Sequence, residues 1–183
     1  MKKIFAWIKK LVAIGAKVST NPKVKAELEI AEKVIDEGGY SDDPRDSGGK
    51  TQYGITEKVA RAFGYAGDMQ KLPLEVAENI YRSGYWNNCK CDQLPYPLSL
   101  YVFDCAVNQG SDAAKKLLQA ALGVKQDGLI GAVTLAAASK AGDDVANTYM
   151  ALRALRYTGT RSFDVYGKGW FRRLFIVARA GEK

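Results

Sequence analysis

The sequence predicts a mainly α-helical protein with one small β-hairpin. Apolar residues recur at helical spacing along most of the chain, and a segment rich in glycine, aspartate and serine, residues 40–56, interrupts them. The 183 residues suffice for one domain with a buried core. Hydrophobic residues make up 47% and charged residues 26%, values that exclude disordered, collagen-like and membrane-spanning classes.

The first predicted element is a basic amphipathic helix over residues 1–20. Its five lysines fall within an arc of roughly 120°, opposite Trp7 and the aliphatic side chains. Such a helix can lie on an anionic membrane or on lipopolysaccharide; the alternative is a terminal helix packed on its own domain with its lysines in water. Lys9 and Lys10 interrupt the apolar run and no A-x-A-like site follows, so we expect no signal peptide.

The remaining elements follow in order. Asn21-Pro22 begins a helix that ends at Gly38-Gly39, and a short hairpin is expected within residues 50–56. Further helices are predicted from Thr56, from Pro73, over 98–107, over 112–122 with Ser111 as N-cap and Gly123 as C-cap, over 131–140, from Asp143 and around 170–179. No linker is visible. We therefore expect a single domain over 21–183, formed by a hairpin-containing part, 21–95, and a helical part, 96–183.

The chain contains no histidine, which excludes Ser-His-Asp and Cys-His mechanisms and all histidine-ligated metal sites. Its three cysteines, Cys89, Cys91 and Cys105, lack the spacing of a zinc site and are expected to be reduced thiols. We therefore expect neither a metal nor a cofactor. Proton transfers in an enzyme of this composition fall to carboxylates, Lys, Tyr or Cys.

Positive charge is concentrated at the two ends of the chain. The formal charge is +7; residues 1–25 contain seven lysines and no acid, whereas residues 150–183 contain eight basic and two acidic residues. Basic ends favour anionic polymers or membranes, and bacterial envelopes supply both. Nucleic acid is another such polymer.

Two carboxylates flank the loop after the first core helix. Glu37 lies in the last turn of that predicted helix, where partial burial and the negative end of the helix dipole raise the pKa of a carboxyl group. A general acid needs such a proton near neutral pH. Asp46 follows in a Gly-rich turn that can bring it across from Glu37, as in glycosidases. A polar or ion-binding loop is the alternative.

Three ordered motifs lie within residues 24–178. The first is Glu37-Gly38-Gly39-Tyr40 followed by Asp46-x-Gly48-Gly49-x-Thr51-x-x-Gly54-Ile55-Thr56. The second is Phe103-Asp104-Cys105-Ala106-Val107-Asn108-Gln109-Gly110, and the third is Leu118-Gln119-x-Ala121-Leu122-Gly123-Val124-x-x-Asp127-Gly128-x-Ile130-Gly131-x-x-Thr134. Together they closely resemble the glycoside hydrolase family 108 muramidases, lysozyme-like cell-wall hydrolases that are often phage or prophage endolysins.

The resemblance implies a lysozyme-like helical domain with the hairpin beside a catalytic cleft, and the third motif implies a peptidoglycan-binding-like region in the helical part, 96–183. It implies that Glu37 is the catalytic acid and that the substrate is the β-1,4 bond between N-acetylmuramic acid and N-acetylglucosamine. Asp46 matches the aspartate of the wider superfamily's Glu-Asp-Thr set, and Thr51 or Gln52 takes the place of the threonine. Whether the reaction retains or inverts the configuration stays open.

Other side chains are candidates for substrate binding. Asn108 and Gln109 could bind N-acetyl groups in the cleft, or could cap a helix next to Gly110. Aromatic rings could stack on sugar faces or belong to the core: Tyr40, Tyr53, Tyr85 and Trp86. Asp104, inside an apolar helix, requires a buried partner, structural or catalytic.

Two function classes follow. The first is an enzyme, a muramidase endolysin with peptidoglycan as substrate and no role for nucleic acid. We expect it to stay in the host cytoplasm until a holin releases it to the cell wall. The second is a non-catalytic cationic protein that binds peptidoglycan or the envelope. Glu37 distinguishes the two, because a pure binder has no need of a carboxyl group at that helix end.

Overall fold

The computed structural model describes residues 39–42 and 49–182 of the chain. The predicted helices over 1–20 and 22–37 lie outside the described residues, as do Glu37 and Asp46. The chain forms two compact units, Met1–Gly84 and Tyr85–Lys183.

The described part of the first unit starts with the predicted hairpin. Strands β1 (Thr51–Gln52) and β2 (Ile55–Thr56) pair antiparallel, with Thr51 opposite Thr56 and Gln52 opposite Ile55. Three helical elements follow: α1 (Glu57–Ala62), a 3-10 turn (Met69–Lys71) and α2 (Leu74–Asn79). A π-helical segment, Ile80–Asn87, continues directly from α2.

Helix α1 begins where the sequence predicts a helix start, at Thr56. The Thr56 hydroxyl accepts a hydrogen bond from the Val59 backbone N–H at 3.3 Å, so it caps the first turn. The described core of this unit is formed by side chains from β2, α1, the 3-10 turn and the residue after it, α2 and the π-helical segment: Ile55, Ala60, Met69, Leu72, Ala77, Ile80 and Tyr81. The hairpin is thereby held by packing as well as by its own ladder.

The regular elements described in the second unit are all helical. After a 3-10 turn (Cys91–Gln93) come α3 (Leu98–Gln109), α4 (Ser111–Ala121), α5 (Ala132–Ala138), α6 (Asp143–Thr158) and α7 (Phe163–Gly181). Every residue of α3 from Leu98 to Ala106 is buried, including the polar Ser99 and Asp104, as expected for a largely apolar helix at the centre of a bundle. It packs against α4, α6 and α7 and is the centre of the unit.

The two predicted caps of α4 have different outcomes. Gly123 follows the helix at φ 68°; its N–H bonds to the Ala120 carbonyl and that of Val124 to the Gln119 carbonyl, a Schellman arrangement that confirms the C-cap. The N-cap prediction for Ser111 is wrong. The helix includes Ser111 and starts after Gly110, without a side-chain cap. The Ser111 hydroxyl interacts instead with the Cys89 thiol.

The buried side chain of Gln119 holds the loop between α4 and α5. Its Nε2 donates to Asp127 Oδ1 at 2.8 Å, to the Leu129 carbonyl at 3.1 Å and to Thr134 Oγ1 at 3.3 Å. Its Oε1 accepts from the Gly128 N–H at 2.8 Å. Hydrogen bonds from the Leu129 backbone and from Gln119 lower the pKa of Asp127. One carboxamide therefore fixes a complete loop.

The core of the second unit contains an ion cluster. Asp104 on α3 pairs through Oδ2 with Arg153 of α6 at 2.5 Å and through Oδ1 with Arg173 of α7 at 2.6 Å. Arg153 is fully buried, at 0% exposure, and Nη1 also donates to the Tyr101 carbonyl at 3.4 Å. Burial is the largest single influence on this guanidinium and lowers its pKa, but the charges of Asp104, Cys105 and Tyr149 and the hydrogen bond to Asp104 together outweigh it, so that the net shift is upward. The predicted buried partner of Asp104 is confirmed.

Helix α7 is the docked amphipathic helix that the sequence predicts. Leu174 and Val177 are buried on its inner face. Near its end, the Tyr101 hydroxyl donates to the Ala178 carbonyl at 3.2 Å and the Tyr96 hydroxyl donates to the Ala180 carbonyl. A Cβ at Gly181 would lie 2.2 Å from the Tyr101 hydroxyl, so only glycine permits this approach.

Two further findings concern membrane-spanning helices and the state of the cysteines. Within residues 39–42 and 49–182, none of the helices is both long and apolar enough to span a bilayer. Cys89, Cys91 and Cys105 are buried and form no disulfide within the described residues; that they are reduced thiols stays a prediction.

The ion cluster predicts a large effect of replacing Asp104. Asp104→Asn leaves the Arg153 guanidinium buried without its counter-charge, and breaking such a buried pair costs about 3–5 kcal/mol. We expect this loss in the free energy of unfolding, measured by denaturant titration of the full chain. The matched control is Asp112→Asn, which removes an exposed pair with Lys116 on α4 and should leave the unfolding midpoint nearly unchanged. Equal effects of the two substitutions would contradict a structural role for the cluster.

Candidate functional site

The hairpin brings together three of the residues singled out from the sequence. Thr51 and Gln52 form β1, and Tyr53 opens the two-residue turn to β2. Tyr53 and Gly54 both have positive φ, 52° and 70°. This is the signature of the turn that best matches strand twist, although a tyrosine in this conformation is uncommon. The strain is local to the candidate site.

A contact from the π-helical segment fixes the turn. The buried Tyr81 hydroxyl donates to the Tyr53 carbonyl oxygen at 2.7 Å. A Cβ at Gly54 would lie 2.9 Å from the same hydroxyl, so the glycine admits Tyr81 as well as providing the turn. The position of the hairpin tip is therefore set by a residue 28 positions further along the chain.

The stretch that precedes the hairpin returns to it. Ser41 and Thr51 exchange both backbone hydrogen bonds, at 2.9 and 2.8 Å, in an isolated antiparallel bridge. Tyr40 adjoins this bridge, and its hydroxyl donates to Asp42 Oδ2 at 3.4 Å. Tyr40 thus lies in the same region as Thr51 and Gln52. Asp46 itself lies outside the described residues.

Thr51 and Gln52 differ in the availability of their polar groups. The Thr51 hydroxyl donates to the Gly49 carbonyl at 3.0 Å. The Gln52 Oε1 atom is buried and has no hydrogen-bond partner among the described residues. A buried acceptor without a partner is costly and calls for an explanation. Gln52 therefore retains an acceptor without a partner in the described part of the chain, whereas the Thr51 hydroxyl is engaged within the loop.

The structure places Asn108 and Gln109 in the last turn of α3, in the second unit. Asn108 is exposed, and its Nδ2 donates to the Asp104 carbonyl one turn earlier at 2.8 Å. The Gln109 amide is occupied at both ends: Nε2 donates to the Arg153 carbonyl at 3.3 Å, and Oε1 accepts from the Cys105 thiol at 3.6 Å. Substrate binding by this pair stays a prediction, to which Asn108 brings the more accessible side chain.

The aromatic candidates separate by burial. Trp86 is buried in the second unit and packs edge-on against Phe103, with ring centroids 5.4 Å apart, which places it in the core. Burial raises the pKa of Tyr85. Tyr40 and Tyr53 are half-buried near the hairpin.

No cluster of three or more potential metal-ligating side chains occurs in the part of the chain that the structure describes.

Hydrogen bonds from Cys91 and Ser111 and the charge of Lys115 lower the pKa of the Cys89 thiol, against the raising effect of burial.

Two networks are completed by residues whose roles were not predicted from the sequence. Arg153 is a cation on the buried stripe of α6 that also carries Ala146, Tyr149 and Tyr157, and this position could have identified it as the partner of Asp104. Gln119 stands in the third motif, but its role in holding a loop depends on side chains up to 15 residues away.

Comparison with known proteins defines the class. The structure of Brucella abortus SagA matches with a TM-score of 0.79 and 37% sequence identity, over 84% of this chain and 92% of that one. Together with the helices and hairpin described above, the match confirms the predicted mainly α, lysozyme-like fold. No curated protein sequence matches the chain significantly.

The family follows from the sequence model. Residues 30–110 match the family described as Glycosyl hydrolase 108, a range that includes Glu37, Asp46 and the hairpin. The chain belongs to glycosyl hydrolase family 108. It is therefore a glycoside hydrolase, a lytic enzyme acting on peptidoglycan.

The different states of Gln52 and Thr51 predict unequal effects of two substitutions. Gln52→Ala removes an acceptor that has no hydrogen-bond partner among the described residues, so folding should be unchanged while a substrate or water donor loses its partner, at a cost of roughly 5- to 100-fold in kcat/KM. Thr51→Ala removes a hydroxyl already bonded within the loop and should cost less. The rates are measured as turbidity loss of purified peptidoglycan, with thermal melting as the folding check and Gln70→Ala, an exposed glutamine, as control. A larger loss in Thr51→Ala would reverse this ranking.

Proposed function

We propose that the chain is an N-acetylmuramidase of the endolysin type. It hydrolyses the β-1,4 bond between N-acetylmuramic acid and N-acetylglucosamine in bacterial peptidoglycan. The observation that carries the proposal is the family match over residues 30–110, which contains both carboxylates and the hairpin. The close sequence identity to SagA over most of both chains supports it.

In the proposed reaction, Glu37 protonates the glycosidic oxygen as the bond to the sugar breaks. The positive charge that develops on the sugar ring requires an anion, and Asp46 supplies it, either as a stabilising carboxylate or as the base that activates water. The Gln52 Oε1 atom, or the Thr51 hydroxyl, orients the water or a sugar hydroxyl. The Ser41–Thr51 bridge and the Tyr81 contact hold these side chains on a fixed backbone, which favours catalysis by reducing the reorganisation needed.

The competing function is a non-catalytic cationic protein that coats peptidoglycan or the envelope. The net charge of +7 and the two basic ends favour binding to anionic polymers whether or not chemistry follows. Only the enzymatic function depends on the carboxyl group of Glu37. A substitution at this position therefore distinguishes the two functions.

Glu37→Gln keeps the shape and hydrogen-bonding capacity of the side chain but cannot supply a proton. We expect lysis of purified peptidoglycan to slow by at least about 100-fold, the lower range for general acid catalysis, with folding retained. Glu57→Gln is the matched control, an acid on α1 with no assigned role. Asp46→Asn should cost nearly as much if Asp46 activates water, and less if it only stabilises charge.

The released fragments identify the bond, because a muramidase leaves N-acetylmuramic acid at the new reducing end. A folded Glu37→Gln protein with near wild-type lysis would overturn the catalytic assignment and favour the cationic binder.

We further propose that residues 1–20 bind anionic membrane or lipopolysaccharide, and that the enzyme remains in the host cytoplasm until a holin allows it to reach the wall. The segregation of lysines on one face of the predicted helix supports the first proposal. The resemblance to phage lytic enzymes supports the second.

Deletion of residues 1–20 should reduce lysis of intact cells more than hydrolysis of isolated wall, because only cells present a membrane. High salt should weaken the difference, since it screens exposed charges. Both substrates are assayed with the same turbidity readout. An equal loss on both would indicate a structural role for the segment.

A further inference from the structure

The outward face of α7 exposes an unusual amount of apolar surface. Val165 is 73%, Phe175 71% and Ile176 45% exposed, although the helix as a whole is docked through Leu174 and Val177. Single exposed apolar residues are common, but several on one helix face indicate a surface that makes contact with another body.

Basic residues share this face. At 100° per residue, six exposed side chains fall within an arc of roughly 100°. We call this set the α7 stripe: Val165, Lys168, Arg172, Phe175, Ile176 and Arg179. The three cations lie along its middle, and the apolar side chains flank them on both sides.

The two helices carry a net positive charge. Residues 143–182, which span α6, α7 and the C-cap residue of α7, contain seven basic residues and four acids, and the acids lie near the helix ends: Asp143 and Asp144 in the first turn of α6, Asp164 in the first turn of α7 and Glu182 after its last turn. Arg153 and Arg173 are paired with Asp104 in the core. Lys168, Arg172 and Arg179 remain exposed, and none of the six positions of the stripe is an acid.

We propose that the α7 stripe is a docking surface for an anionic phospholipid membrane. The cations contact headgroup phosphates, and Val165, Phe175 and Ile176 enter the boundary between headgroups and acyl chains. The long side chains of the cations lie along the same boundary with their charges in the headgroup layer. The opposite face of α7 stays packed on α3 and α6 while the stripe is engaged.

An anionic membrane complements both the cations and the apolar side chains of the α7 stripe, whereas other partners complement only one of these two groups. Peptidoglycan and nucleic acid are anionic polymers that complement the cations, but they provide no apolar interior for aliphatic and aromatic side chains of this size. A second copy of the chain could cover the apolar residues, but a symmetric pairing would bring the same cations into contact. The combination of positive charge with exposed apolar side chains therefore selects the lipid surface.

The test measures vesicle binding by the full chain, without peptidoglycan, so that its failure is independent of the proposed enzymatic activity. Vesicles of phosphatidylcholine with about one quarter phosphatidylglycerol are compared with pure phosphatidylcholine by co-sedimentation. Residues 1–20 could also bind such vesicles, so a second measurement isolates the stripe. A polarity-sensitive fluorophore is attached through Phe175→Cys, and through Val133→Cys on α5 as an equally exposed control. The native cysteines are all buried.

We expect a blue shift of the label at position 175 with the anionic vesicles only, and none at position 133. The charge reversals Arg172→Glu and Arg179→Glu together should abolish this shift and weaken vesicle binding at least roughly tenfold, given that each basic residue near an anionic surface contributes about a fivefold factor. The matched control is Lys125→Glu with Lys140→Glu, two exposed cations away from α7.

Three outcomes would overturn the proposal. The first is no shift at position 175. The second is a shift that survives the reversals on α7. The third is a loss of binding to purified peptidoglycan or nucleic acid on reversal while vesicle binding is unchanged, which would assign the stripe to a polymer.

Discussion

The ion cluster around Asp104 is the interaction on which the second unit depends. Asp104 on α3 neutralises Arg153 of α6 and Arg173 of α7, so a single carboxylate joins three helices that are distant in sequence. Apolar packing alone tolerates small rotations of one helix against another, whereas two charge-assisted hydrogen bonds to one carboxylate tolerate few. The carbonyl of Arg153 also receives the Gln109 amide, so the end of α3 is held by the same cluster. The orientation of α7, and with it the direction of its exposed stripe, follows from this constraint.

The candidate site in the first unit relies on a different principle. The hairpin has only two residues in each strand, too few to be stable alone. Contacts with Tyr81 at the turn and with Ser41 at the edge stabilise it. These contacts fix the backbone beside Gln52 while leaving its Oε1 atom without a partner among the described residues. A rigid backbone that presents an unsatisfied polar group is what a binding or catalytic site requires. The third motif shows the opposite case, since Gln119 and Asp127 satisfy each other and serve the loop.

Local signals predicted the helices well because capping, periodicity and turn residues act over a few positions. Thr56 caps the start of α1 and Gly123 caps the end of α4, as predicted, because each hydrogen bond involved spans no more than about one helical turn. The prediction for Ser111 was wrong because a contact from a distant part of the sequence prevailed over the local one. Its hydroxyl could cap α4, but it interacts with the Cys89 thiol instead. The candidate residues divide likewise, with Thr51, Gln52 and Tyr53 contiguous in the hairpin and Asn108 and Gln109 in the other unit.

The sequence by itself determined the mainly helical class, the hairpin, the family and the chemistry open to a chain without histidine. These properties depend on composition, on short-range periodicity and on motifs that need no knowledge of distant contacts. Only the tertiary structure decided which cations neutralise Asp104, that Gln109 is occupied by the core, that the Gln52 Oε1 atom is left free among the described residues, and that Phe175 faces solvent. The physical reason is that burial and pairing are set by neighbours from other elements. A sequence shows that Asp104 needs a partner, but helix packing chooses which one.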